Sequence, residues 1–245
     1  MMKKTLFTVE KCERLTSDVF DLYLSGDTSE LSQSGQFVNI DVPGLYLRRP
    51  ISVCDFDKQR LRLVFKVVGK GTRIMSGLSK GEKLDLLLPL GNGFDVTVSG
   101  QKPYLVGGGV GVPPLLHLAK ELRSMGKNVK VILGFNTKMD CILYDDFCEI
   151  VGRDNVIVTT VDGSFGAKGF VTDIPMDDAS YVYSCGPIPM LKNVAKKTNC
   201  GAELSLESRM GCGFGACMGC SIHTTDGPKR VCKEGPVFKK EVIVW

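Results

Sequence analysis

Hydrophobic and polar residues alternate through much of residues 1–99. In 37–42, Val38, Ile40 and Val42 fall on one face; in 61–68, Leu61, Leu63, Phe65 and Val67 are opposed by Arg62 and Lys66. A period of two marks strands with one side against a core. Turn-forming clusters divide the runs: Ser25-Gly26-Asp27, Pro43-Gly44, Gly69-Lys70-Gly71 and Gly91-Asn92-Gly93. Short strands, frequent turns and little helix predict a small antiparallel barrel or sandwich. The pattern changes near Gly100. Apolar strands are predicted at 104–106, 129–133, 156–161 and 181–184, and helices at 113–125, 143–150 and 188–198. In the first helix Leu115, Leu118, Ala119 and Leu122 share a face, prolines open it and Gly126 can end it. Strands alternating with helices predict a parallel sheet covered on both faces. Residues 201–245 hold a cysteine cluster and two short strand-like runs. The expected order is a β-rich module (1–99), an α/β module (100–200) and a cysteine-bearing module (201–245).

Charge narrows the function classes. A formal net charge of +4 over 245 residues, with no long basic run, gives no reason to expect nucleic-acid binding. Met1-Met2-Lys3-Lys4 resembles the start of a signal peptide, but Glu10, Lys11, Glu13 and Arg14 leave no apolar stretch behind it. The most apolar run, 84–90, is broken by Asp85 and Pro89, so no membrane span is expected. Six of the ten cysteines (Cys12, Cys54, Cys141, Cys148, Cys185 and Cys200) stand alone, which suits a reducing cytoplasm.

The other four carry chemistry. Cys212, Cys217 and Cys220 are spaced C-x4-C-x2-C, and Cys232 follows twelve positions later. This is the plant-type ferredoxin spacing, in which four thiolates hold a [2Fe–2S] cluster. Glycines 211, 213, 215 and 219 let the loop pass close to the cluster sulfurs. Zinc sites favour two C-x2-C knuckles, and only one is present; disulfides need an oxidising compartment.

Three further motifs point to nucleotides. Arg48-Arg49-Pro50-Ile51-Ser52 closes a strand; a guanidinium beside a proline-fixed backbone can hold a pyrophosphate, and a serine can bond a flavin ring. Gly69-Lys70-Gly71-Thr72 offers amides to phosphate, with a helix expected from about Thr72, although an ordinary hairpin turn has the same composition. Gly107-Gly108-Gly109-Val110-Gly111-Val112-Pro113 joins a strand to a helix but departs from G-x-G-x-x-G at Val112. Further small-residue turns at 162–166 and Cys185-Gly186-Pro187 follow later strands, at the ends where open α/β sheets bind ligands.

Arg49-Pro50-Ile51-Ser52, the 107–113 turn and Cys185-Gly186-Pro187 resemble the ferredoxin–NADP reductase superfamily. With the stretch from Ser205 to Cys220, essentially the whole chain resembles electron-transfer subunits of NAD-dependent dihydroorotate dehydrogenases. Ser208 and Gly211 depart from the Glu and Ala more frequent there. The resemblance implies FAD held by Arg49, Pro50, Ile51 and Ser52, lined by Val64, Phe65 and Lys66, with its pyrophosphate at Gly71 and Thr72. It implies NAD at Gly107, Gly108, Gly109, Gly111, Gly186 and Pro187, with Cys185 near the nicotinamide in a kinetic or merely structural role. Cys212, Cys217, Cys220 and Cys232 would ligate the cluster. Electrons would run from dihydroorotate to an FMN-containing catalytic subunit, then through the cluster and FAD to NAD+, in a cytoplasmic heterotetramer of two copies of each subunit. Relatives feed sulfite reductases or hydrogenases instead, and a redox sensor built on the cluster is the alternative from another class. The loop 134–138 offers Lys138 and no arginine for a 2′-phosphate, which favours NAD over NADP. His117, in mid-helix, and His223, facing solvent, form no acid–base pair.

Overall fold

A computed structural model describes residues 2–245. The N-terminal part is a closed antiparallel barrel of six strands: β1 (Lys3–Arg14), β2 (Val19–Ser25), β3 (Phe37–Ile40), β4 (Arg49–Phe56), β5 (Arg60–Lys66) and β6 (Lys83–Leu90), in the order β1-β2-β5-β4-β3-β6. Alternation sets what fills it. Val38, Ile40, Leu61, Leu63 and Phe65 point inward with Leu22, Leu86 and Leu88. Each such buried side chain contributes about 1.5–3 kcal/mol. Helix α1 (Lys70–Met75) starts two residues before the expected position, because Thr72 Oγ1 accepts from Val68 N at 2.9 Å and Gly69 N at 3.2 Å and so closes the turn earlier.

The second part is a seven-stranded sheet. Its strands are β7 (Pro103–Gly108), β8 (Lys130–Phe135), β9 (Val156–Thr160), β10 (Ala167–Lys168), β11 (Tyr181–Cys185) and β12 (Ala202–Ser205), joined by β15 (Val237–Lys239) beyond a hairpin of β13 (Ser221–Thr224) and β14 (Gly227–Arg230). The order is β10-β9-β8-β7-β11-β12-β15, parallel except for β15. Helices α2 (Pro114–Ser124) and α3 (Tyr144–Val151) share one core with Leu105, Val131, Leu133 and Tyr183. Helix α4 (Ile188–Lys197) packs with Val106, Ile132 and Val182 on the opposite face. Both faces are thus covered, as the strand–helix alternation requires.

The sheet runs past residue 200, where the sequence reading starts a third module. Ala202–Ser205 pairs with β11, and Val237–Lys239 pairs back onto it. Strands of four and three residues carry too little periodicity to reveal their partners. The cysteine segment is therefore held at both ends by the sheet. No described helix is long and apolar enough to cross a membrane.

Candidate functional site

The four cysteines fall in two pairs. In each pair the backbone amide of one cysteine donates to the sulfur of the other, Cys217 to Cys212 and Cys232 to Cys220. Among the described residues no three metal-ligating side chains converge on one point. Ligands grouped two and two fit a cluster of two irons. Backbone amides serve the sulfurs: Ala216 N and Cys217 N donate to Cys212 Sγ at 3.2 and 3.4 Å, and Cys232 N donates to Cys220 Sγ at 3.4 Å. Burial pushes the Cys212 thiol up, but amides of Phe214 and Cys217, the Cys217 thiol and the Ala216 amide outweigh it and hold it at about 6. The shift favours the thiolate, the form a metal takes. Burial, then the neighbouring Cys220, pushes Cys232 up to about 12. Cys220 and Cys232 are buried and Cys217 is exposed, so the segment has a sheltered and an open side. Phe214 and Met218 are exposed on it.

On the barrel, two adjacent arginines have separate duties. Arg48 is engaged: it pairs with Asp85 Oδ1 at 2.7 Å and donates to the Asn39 and Asp85 carbonyls at 3.2 and 3.1 Å. Arg49 forms no ion pair among the described residues. It donates only to the carbonyls of Leu47 and, at 3.3 Å, Arg48. Gly71 packs so closely on this guanidinium that a Cβ there would collide with Arg49 Nε. An uncompensated, half-buried guanidinium against a glycine turn fits a phosphate. Ser52 stands opposite Phe37 and Pro50 opposite Asn39, with Ile51 between them. On β5, Val64 and Phe65 are buried, and Lys66 is exposed and pairs with Asp18 at 3.0 Å. The Thr72 hydroxyl is occupied in its own turn.

A cleft of about 580 Å³ opens between barrel and sheet. Gly108 at the end of β7 with Gly109 and Gly111 beyond it, Gly134 and Asn136 around the end of β8, and Gly186 and Pro187 after β11 all line it. These are C-terminal ends of parallel strands, where such sheets bind ligands. The turn is tight: a Cβ on Gly111 would strike the Cys185 carbonyl. Gly107 lies behind it, facing Val112 and Leu115.

Cys185 is among the residues behind that turn, 4% exposed, and does not line the cleft. Burial, then the charge of Glu207, pushes its thiol up to about 12 against a weaker pull from the Ser205 hydroxyl. A neutral, covered thiol is unreactive. Iodoacetamide at pH 8 is therefore expected to label Cys185 only after unfolding, which peptide mass spectrometry reads directly; rapid labelling of the folded chain would contradict this placement.

Sequence reasoning missed Glu207 and Asn39. Glu207 opens onto the cleft, and the protein packed around it raises its carboxyl. Asn39 donates to the Cys212 carbonyl at 3.0 Å. His117 has a carboxylate neighbour that the sequence reading did not give it. His117 Nδ1 meets Asp55 Oδ1 at 2.8 Å and stacks on Phe56, and His223 is exposed.

Barrel, sheet and cleft together have the architecture of ferredoxin reductase-like flavoproteins. Phthalate dioxygenase reductase shares the fold, with a TM-score of 0.67 over 90% of this chain and 86% of its own, at 18% identity. A chain of the NADH-dependent reduced ferredoxin–NADP oxidoreductase matches at TM-score 0.85 and 32% identity, covering 98% of this chain and 90% of that one. Residues 207–244 match the iron-sulfur cluster binding domain of dihydroorotate dehydrogenase B. Over its full length the chain is 42% identical to the dihydroorotate dehydrogenase B (NAD(+)) electron transfer subunit of Bacillus pumilus, covering 99% of this chain and 98% of that protein. The counterpart from Streptococcus mutans is 40% identical, over 100% and 99%. The chain belongs to the family of dihydroorotate dehydrogenase B electron transfer subunits.

Proposed function

We propose that this chain passes electrons from a dihydroorotate-oxidising partner to NAD+, using FAD and a [2Fe–2S] cluster of its own, in pyrimidine biosynthesis. The observation that carries the reading is a segment of four cysteines in two amide-linked pairs, held at both ends by the sheet and packed against barrel strand β3. When bound, these groups supply the conversion between two-electron hydride transfer and single-electron transfer. The protein's residues hold and separate them. Cys212, Cys217, Cys220 and Cys232 are the ligands. Arg49 and the amides of Gly71 and Thr72 take the FAD pyrophosphate, while Pro50, Ile51, Ser52, Val64, Phe65 and Lys66 border its ring. The 107–111 turn, Gly186 and Pro187 admit NAD. In this assignment 1–99 is the FAD module, 100–200 the NAD module and 201–245 the cluster module.

NAD is favoured over NADP by charge. Lys66 is the one cation lining the cleft among the described residues, and it is paired with Asp18. Lys138 sits over the Phe165 ring instead, 5.9 Å from its centroid. Asp140 also lines the cleft and would repel a 2′-phosphate. The partner we infer is an FMN-containing catalytic subunit in a heterotetramer of two copies of each. Exposed Phe214 and Met218 beside the ligands suit its docking surface. Ten unpaired cysteines support a cytoplasmic setting.

Composition tests the reading. Purified without oxygen, the chain is expected to hold one FAD and about two irons and two labile sulfides, without zinc. Stoichiometric zinc would overturn it. Arg49→Ala is expected to weaken FAD by about 1.5–3 kcal/mol, the scale of a charged hydrogen bond. Fluorescence titration with FAD checks this, and unchanged affinity would remove Arg49 from the site.

A further inference from the structure

The outward face of β3 touches both halves of the thiol set. Val38 and Ile40 point into the barrel, so Phe37 and Asn39 point out of it. Phe37 shares a core with Cys220 and Cys232. Asn39 reaches the other pair, donating from Nδ2 to the Cys212 carbonyl at 3.0 Å across 173 positions of sequence. In the β3–β4 register these two residues stand opposite Ser52 and Pro50. One strand pair therefore carries the flavin motif and supports the cysteine segment.

Asn39 is built for one contact. It is 1% exposed, and its Oδ1 is buried without a partner among the described residues. The amide cannot be turned over, because Oδ1 would then face the Cys212 carbonyl, acceptor against acceptor. The Nδ2 bond to the Cys212 carbonyl is therefore the contact that orients the side chain. Its backbone is fixed as well, since Arg48 donates to the Asn39 carbonyl and pairs with Asp85. The loop comes close to meet it. Gly213, at φ +79, has no Cβ, and one placed there would lie 2.5 Å from Asn39 Nδ2.

We propose that Asn39 is a positioning residue that fixes the Cys212 end of the cluster loop against the flavin-bearing strand pair. The inference rests on the cluster reading above. Its carbonyl contact holds the backbone of the first ligand, and with it the amide array that Ala216 and Cys217 direct at Cys212 Sγ. Without it the loop opens from this end, while the Cys220–Cys232 end stays packed on Phe37.

The test uses the full chain, loaded with FAD and cluster. Asn39→Leu keeps the branched shape, at a larger volume, and removes the donor; Asn39→Ala removes both shape and donor. Both variants are expected to retain one FAD, to lose iron to bipyridyl about tenfold faster than wild type, the factor matching one lost hydrogen bond, and to show shifted g-values in the reduced cluster. Gly213→Ala, which forces the loop off Asn39, is expected to do the same. Asn155→Ala removes an amide-to-carbonyl bond at the end of α3 and is expected to leave both readouts unchanged. A folded Asn39→Leu protein with wild-type iron release and g-values would reduce Asn39 to a space-filler and overturn the proposal. Wild-type protein without iron would instead fail the cluster reading itself.

Discussion

Cys217→Ser is expected to cut bound iron from about two per chain to well under one, with FAD retained. The side chain is exposed, so the hydroxyl that replaces it meets water and leaves the core intact. What is lost is a thiolate beside Cys212, in the pair whose amides already favour the ionised form. Cys220→Ser is expected to lose iron equally and to cost stability as well, because that residue is packed with Phe37, Val231 and Cys232. Cys200→Ser is the informative control. Cys200 is half-buried and lies outside the motif, so its loss is expected to leave iron and sulfide unchanged. Iron and labile-sulfide assays with the visible absorption spectrum read all three variants. Full iron in Cys217→Ser would mean that the ligand set is different.

Much of this was legible in the chain. Alternation at 37–42 and 61–67 defined barrel strands because a closed barrel buries one side of each strand completely. The switch to strand–helix alternation after Gly100 defined the parallel sheet for the complementary reason. The cysteine spacing was the clearest signal, since three of the four cysteines lie within nine residues and local geometry dictates their separation. What stayed hidden depends on long-range contact. Ala202–Ser205 and Val237–Lys239 are too short to announce that they complete the sheet. Asn39 is an unremarked polar residue in a strand until folding brings Cys212 to it. The division of labour between Arg48 and Arg49 rests on Asp85, which pairs with the first and leaves the second without an acid. Cys185 shows the limit of positional transfer. It ends β11 beside the cleft-lining Gly186, but its own side chain is buried and does not line the cleft.

Dihydroorotate oxidation measures the central claim most directly. Removing hydrogen from that ring requires a base for the carbon-bound proton and a flavin for the hydride. This chain's cleft of about 580 Å³ lies at the C-terminal ends of the parallel strands of its sheet. NADH-dependent reduction of an artificial acceptor, and dihydroorotate-dependent reduction of NAD+, should be assayed side by side with and without a dihydroorotate-oxidising catalytic subunit. The chain alone is expected to reduce the acceptor with NADH and to show no activity on dihydroorotate. Adding the partner is expected to switch on dihydroorotate-dependent NAD+ reduction, and Cys217→Ser is expected to abolish that gain. Dihydroorotate oxidation by the chain alone, or no gain when the partner is added to cluster-loaded protein, would contradict the account.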